Sequence, residues 1–209
     1  MATTAPTRGG KRRQQSEERR QRVLEAARAC FGRLGFGGAT VEAIAADAGV
    51  SNGLLYQFFR GKEHLFEVVV EDVVRDWVRA MVPRDPAGGA LSPSGKLEHL
   101  LRRSVEFCRT NPLLPALLTG DELLQLERLG LKGFGRVEAH RELVGSILRE
   151  GIDQGEFRSD LDVPAVADLI CQLHNDYSSR AYRHDPQYRA DAQLIDAAVR
   201  FIADAVRSH

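Results

Sequence analysis

Between Thr40 and Phe59 the sequence sets two helix caps, two short apolar stripes and, between them, Gly49 at spacings that suit two helices joined by a tight turn. Thr40 has the side chain of an N-cap, whose oxygen accepts a hydrogen bond from an otherwise unpaired N–H in the first helical turn. Val41, Ile44, Ala45 and Ala48 then recur on one face of a two-turn helix. Gly49 can adopt the left-handed conformation that ends it. Ser51 is a second cap, and Val50 and Leu55 take the positions before that cap and four after it, where a hydrophobic staple fixes the angle of the chain. The pattern predicts helix, three-residue turn, helix.

The rest of the chain extends this reading. Val23, Leu24, Ala27, Cys30, Phe31 and Leu34 recur at intervals of three and four, predicting a helix that starts near Ser16 and stops at Gly35. Glu17 and Glu18 suit the positive end of its dipole. From Lys62 the residues Leu65, Phe66, Val69, Val70, Val73, Val74, Trp77, Val78 and Met81 carry a 3.6-residue stripe as far as Pro83. Arg84 to Gly95, with Pro86, Pro93 and three glycines, reads as a loop, with a domain boundary near it. Beyond it the segments Lys96–Arg109, Leu113–Leu118, Asp121–Leu129, Gly135–Asp153, Val163–Arg180 and Asp191–Arg207 all have helical spacing, and none alternates with period two. The expected fold is all-α: a flexible basic tail over 1–15, a three-helix unit with the helix-turn-helix over 16–62, and a larger helical bundle over 63–209.

Charge is distributed unevenly along a chain whose formal net charge is zero. Residues 1–62 carry 11 Lys and Arg against 5 Asp and Glu, a net of +6, and the remaining 18 against 24 give −6. A basic N-terminal third suggests a surface for a polyanion, because phosphates attract such a patch through counterion release; a solvated arm is the plainer reading of residues 1–15. No apolar run approaches the roughly 20 residues that span a bilayer. An apolar signal core is also missing behind Arg8 to Arg13, so a cytoplasmic protein is expected. Cys30, Cys108 and Cys171 are far apart and odd in number, which suggests neither a disulfide framework nor a zinc site.

A helix-turn-helix reads DNA by laying one helix across the backbone so that the next enters the major groove. With Val50, Leu55 and Phe59 needed for packing, Asn52, Gly53, Leu54, Tyr56 and Gln57 remain for the outer face of the second helix. Amides such as those of Asn52 and Gln57 can read adenine edges, and Leu54 can meet a thymine methyl. The hydroxyls of Thr40, Ser51 and Tyr56 and the ammonium of Lys62 suit phosphates. Gly53 costs about 1 kcal/mol in a helix relative to alanine, so close approach to another surface is one reason for it. Thr40 and Ser51 would cap their helices with or without DNA, and Tyr56 could instead pack.

The run from Thr40 to Leu65 resembles the N-terminal domain of the TetR family of bacterial transcriptional regulators, through Ala48-Gly49-Val50-Ser51, Gly53, Tyr56, Phe59 and Lys62 at the family's spacing. The likeness reaches back through Ala26, Phe31 and Gly35 and covers residues 17–77. It implies an all-helical protein with three helices in the DNA-binding domain and a divergent C-terminal domain for dimerisation and effector binding. It also implies phosphate contacts at Thr40, Tyr56 and Lys62, and sequence reading by the face from Asn52 to Gln57. Gln57 departs from the histidine frequent at that position, which leaves base preference open.

In the C-terminal two thirds, Leu194, Ile195, Ala198, Phe201, Ile202 and Ala205 form a stripe wide enough for contacts both within and between subunits. Leu194, Ala198, Phe201 and Ile202 are the candidate dimer interface; the stripe alone would also suit a monomeric core. Val163–Arg180 adds Val166, Ala167, Ile170, Leu173 and Tyr177, and the resemblance implies that these last two helices form a four-helix bundle with their copies. Candidates to line an effector pocket are Trp77, Phe107, Phe134, Cys171, His174 and Tyr177, with His174, Asn175 and Asp176 the first choice to orient a ligand. The long helix from Lys62 to Met81 is the expected lever between pocket and DNA. The expected partners are thus an operator duplex, a small-molecule effector and a second copy of the chain. No cofactor, metal site or catalytic residue is expected, since there is no Gly-rich phosphate loop, His-Glu-x-x-His run or nucleophile elbow. The alternatives are an enzyme, for which none of these motifs is present, and a non-specific architectural DNA-binding protein, which only the basic tail favours.

Overall fold

The structure, a computed structural model, describes residues 8–82, 91–119, 135–180 and 192–208. Among them are nine helices: α1 (Arg8–Gly38), α2 (Val41–Asp47), α3 (Asn52–Phe58), α4 (Lys62–Met81), α5 (Pro93–Thr110), α6 (Leu113–Thr119), α7 (Gly135–Asp153), α8 (Val163–Arg180) and α9 (Ala192–Val206). No strand occurs among the described residues beyond a single antiparallel bridge between Phe157 and Arg207. The all-α class and the order of the helices are as expected. Asp121–Leu129 lies outside the described residues.

The chain divides into two compact units, Met1–Val70 and Glu71–His209. The expected boundary after Lys62 therefore moves into α4, and the loop from Arg84 does not mark it. Phe66 supplies the reason, for its ring lies 4.9 Å from the rings of both Phe31 and Phe36 and anchors the start of α4 in the N-terminal core.

In the first unit α1 packs against α2 and α3, and α2 against α3. Val23, Leu24, Ala27, Cys30 and Phe31 of α1 are buried with Ile44, Leu55, Phe59 and Leu65. Two expectations for α1 are corrected. Helix begins at Arg8, so residues 8–15 are not a flexible tail; the charged residues Lys11 to Arg13 are exposed on helical turns continuous with the apolar-faced segment. Leu34 was expected on the buried face but is 46% exposed. Gly35 leaves helical geometry (φ 68°, ψ 176°) and breaks the helix, and one further turn carries the chain to Gly38.

In the second unit α7 packs on α8, and α5 touches α7, α8 and α9, while α6 leans on α8. Helix α5 starts earlier than expected because Ser92 caps it, accepting from the Gly95 N–H at 3.2 Å, with Pro93 in the first turn where its missing N–H costs nothing. Glu156 adds a second cap: its carboxylate accepts from the Ser94 N–H at 3.0 Å and hydroxyl at 2.8 Å. The backbone N–H of Ser94 holds Glu156 below the ordinary carboxylate range. Lys96 reaches Glu150 on α7 at 2.5 Å. Gly151 lets α7 approach the following segment: a Cβ there would overlap the Phe157 ring.

Candidate nucleic-acid interface

The helix-turn-helix forms by local bonds. Thr40 Oγ1 accepts from the Ala43 N–H and Ser51 Oγ from the Leu54 N–H, both at 3.2 Å. Between the two helices Gly49 sits at φ 64°. Its N–H bonds to the Ala46 carbonyl at 3.1 Å, and the Val50 N–H bonds to the Ala45 carbonyl at 3.0 Å. This pair is a Schellman motif, which satisfies the last carbonyls of α2 and turns the chain into α3. Leu55 and Phe59 are buried, while Val50, the outer residue of the staple, is half-buried.

What remains exposed on α3 is the face chosen from the sequence. Asn52, Gly53 and Gln57 are exposed, Leu54 is half-buried, and Tyr56 is 53% exposed, so its phenol is not core. Ser51 and Thr40 are exposed as well. A Cβ on Gly53 would meet nothing within 4 Å. No contact among the described residues calls for glycine there.

Lys62 has a job that the sequence reading missed. Its Nζ donates to the carbonyls of Phe36 at 2.8 Å and Ala39 at 3.0 Å, and lies 4.3 Å from the centre of the Phe36 ring. The side chain thus ties the start of α4 to the end of α1, leaving one N–H and a full charge beside the first turn of α4. Arg20 of α1, not singled out from the sequence, lies over the Phe59 ring at 5.5 Å. Next to them His64 Nδ1 accepts from the Arg60 N–H at 3.2 Å, which makes that nitrogen the unprotonated one and secures the turn from α3 to α4.

The effector candidates separate. Trp77, Cys171, His174 and Tyr177 are buried, Phe107 is half-buried, and Phe134 lies outside the described residues. Trp77, His174 and Tyr177 belong to one chain of rings through a residue missed from sequence, His140: Trp77 to His140 is 4.9 Å, His140 to His174 is 5.0 Å and His174 to Tyr177 is 5.3 Å. Trp77 Nε1 donates to Ser104 at 2.9 Å, and His174 Nδ1 and His140 Nε2 share a buried hydrogen bond of 3.1 Å. Of the polar residues after His174, Asn175 is half-buried and Asp176 exposed. Burial lowers the pKa of His140 to about 4 and that of His174 well below its usual value, so both imidazoles are neutral. Burial likewise pushes the Cys108 and Cys171 thiols up to about 12. Among the described residues no cluster of three His, Cys, Asp or Glu could hold a metal ion.

The dimer candidates also divide. Ile202 is buried within the chain, as are Val199 and Val206, so it is not exposed for an interface. Ala198 is half-buried, Leu194 is exposed and Phe201 is 68% exposed. On α8 the exposed large apolar residues are Leu169, 64% exposed, and Leu173, which belongs to the stripe read from the sequence. Among the described residues, no helix is long and apolar enough to cross a membrane.

Comparison with known proteins agrees with this geometry. Residues 23–69 match the family model described as bacterial regulatory proteins, tetR family. The chain is 33% identical over 158 residues to the HTH-type transcriptional repressor KstR2 of Mycolicibacterium smegmatis, covering 75% of this chain and 76% of the relative. Among solved structures, the ketosteroid transcriptional regulator KstR2 of Mycobacterium tuberculosis superposes with a TM-score of 0.65 at 26% identity, over 91% of this chain and 96% of that one. A TetR-family regulator from Rhodococcus sp. shares the fold with a TM-score of 0.74 at 22% identity, over 92% of this chain and the whole of the other. A capped helix-turn-helix with an open polar face, a matching family model and relatives of this similarity have one explanation: the chain belongs to the TetR family of bacterial transcriptional regulators.

Proposed function

We propose that this protein is a ligand-responsive transcriptional repressor that binds a two-fold related operator as a homodimer. The observation that carries the reading is the outer face of α3, where Asn52, Gly53, Tyr56 and Gln57 stand exposed on a helix whose opposite face is locked by Leu55 and the flanking Phe59. Asn52, Leu54 and Gln57 read base edges, with Gly53 allowing close approach, while Thr40, Ser51, Tyr56 and Lys62 hold phosphates. Family membership and relatives named as repressors support regulation over catalysis. The exposed Leu194 and Phe201 of α9 and Leu169 and Leu173 of α8 support pairing through these two helices.

Control follows from two populations. A ligand that binds better to the form whose recognition helices miss the operator weakens DNA binding by its differential affinity, typically 1–3 kcal/mol. Helix α4 carries both Lys62 and Trp77 and serves as the lever. Operator fragments selected from genomic DNA and tested by gel shift against nonspecific competitor measure the reading. A regulator retains a specificity ratio of about a thousandfold or more; a ratio near one would mark an architectural protein instead. Sedimentation at micromolar concentration should give a dimer with and without DNA, and a monomer in both would refute the two-fold reading. Gln57→Ala should relax base preference at one position of each half-site.

A further inference from the structure

We infer that the His140–His174 pair forms the polar end of an effector site for an uncharged molecule bearing one hydroxyl or carbonyl group on an apolar body. This rests on the ligand-responsive reading above and specifies its chemistry.

Four buried polar atoms lack a hydrogen-bond partner among the described residues: His140 Nδ1, His174 Nε2, Asn175 Oδ1 and Tyr177 Oη. All belong to the same stretch of α7 and α8. Orphaned polar atoms are costly, and a group of them in one core calls for something that pairs with them. The two imidazoles constrain what that is. Each neutral ring carries one N–H, and the 3.1 Å bond between His174 Nδ1 and His140 Nε2 uses one donor and one acceptor. If His174 Nδ1 donates, His140 must carry its proton on Nδ1 and His174 Nε2 is bare. If His140 Nε2 donates, His174 carries its proton on Nε2 and His140 Nδ1 is bare. In either tautomer the pair presents one donor and one acceptor at its outer nitrogens. A hydroxyl can bond to either outer nitrogen and a carbonyl to the one that carries the proton, with no change of charge.

Charged ligands fit poorly. The arginines whose charge reaches Tyr177 and Cys171 are already occupied: Arg102 is bound by Glu98 at 2.8 Å and by Asp196, and Arg141 pairs with Asp168 at 3.7 Å. The Cys108 and Cys171 thiols are kept neutral by burial. A carboxylate or ammonium would lose its hydration without a compensating charge. One helical turn from each polar group the same helix faces are apolar, with Leu100 and Leu101 before Ser104, Val144 after His140 and Ile170 before His174, all buried.

Trp77, the only tryptophan of the chain, reports on the pair because its ring meets that of His140. Full-length protein at pH 8 is titrated with 1-dodecanol, 2-dodecanone, dodecanoate and dodecylammonium below their aggregation limits, reading Trp77 emission and melting temperature. The alcohol and ketone should saturate and bind about tenfold or more tightly than either ion. His140→Leu should cut the affinity for the alcohol about fivefold or more. Should that variant fail to fold, Tyr177→Phe removes only one oxygen and should weaken the alcohol about fivefold without lowering the melting temperature of the free protein. Equal binding of the ions, no binding by either neutral probe, or full alcohol affinity in the folded variants would overturn the inference. Operator affinity is measured separately by gel shift: neutral probes that bind without releasing DNA uphold the site and remove its regulatory reading, whereas release by an ion alone does the reverse.

Discussion

Replacing Lys62 by methionine keeps the aliphatic stem and removes the ammonium, which isolates what the charge does. In the structure that charge is shared between the Phe36 and Ala39 carbonyls and the face of the Phe36 ring. Hydrogen bonds from a charged donor contribute about 1.5–3 kcal/mol each, and a cation over a ring about 0.5–1 kcal/mol at an exposed site. Lys62 is half-buried, so the low end applies, and non-additivity trims the sum to roughly 2–4 kcal/mol. For a chain of this size that corresponds to a fall of roughly 5–15 °C in melting temperature. Two carbonyls leave the third N–H and the whole charge for a phosphate. Lys62→Met should therefore also reduce the slope of log affinity against log salt by about 0.9 per subunit, about 1.8 for the homodimer on its operator. Thermal melts of the free protein and gel shifts over a salt series read the two effects independently. A melting temperature within about 2 °C of the parent would refute the clamp, since no exposed lysine without these partners would cost more than a few tenths of a kcal/mol.

Other perturbations test other parts of the molecule. Gly53→Ala should stabilise the free protein by up to about 1 kcal/mol, because the added methyl meets nothing within 4 Å, and should weaken operator binding by crowding the DNA; a stabilised variant with unchanged operator affinity would show that close approach is not the reason for glycine. Gly151→Ala should cost about 1–3 kcal/mol in urea melts, since its Cβ must displace the buried Phe157 ring. Stability should fall as pH drops from about 6.5 to about 4, because the unfolded chain binds protons on His140 and His174 that the fold refuses; His140, held at about 4, accounts for roughly 2 kcal/mol by pH 5. A urea midpoint flat between pH 7 and pH 5, or an equal slope in His140→Leu, would show that the pair is not the cause.

The helix-turn-helix was legible in the sequence because everything that makes it is local. Thr40 and Ser51 bond to N–H groups three residues on, the Schellman pair spans five, and the split between Leu55 inside and Tyr56 outside follows from 3.6-residue periodicity. Such features are set by the spacing of neighbours and need no knowledge of distant chain. Periodicity also found the other described helices, but it names an apolar face without saying whether anything covers it. That is why Leu34, Leu173 and Phe201 came out exposed and Ile202 buried.

What only tertiary structure decided is pairing at long separation. Lys62 finds its carbonyls 26 and 23 residues back, Trp77 finds Ser104 27 residues on, and His140 meets His174 across 34. A histidine in a helix has the same one-dimensional signature whether it faces water or another imidazole, so His140 carried no mark. Sequence determined the shape of the reading head and its exposed side chains through short-range bonds. The fold decided which polar groups lose water together in the second unit, because that depends on which helices are brought side by side.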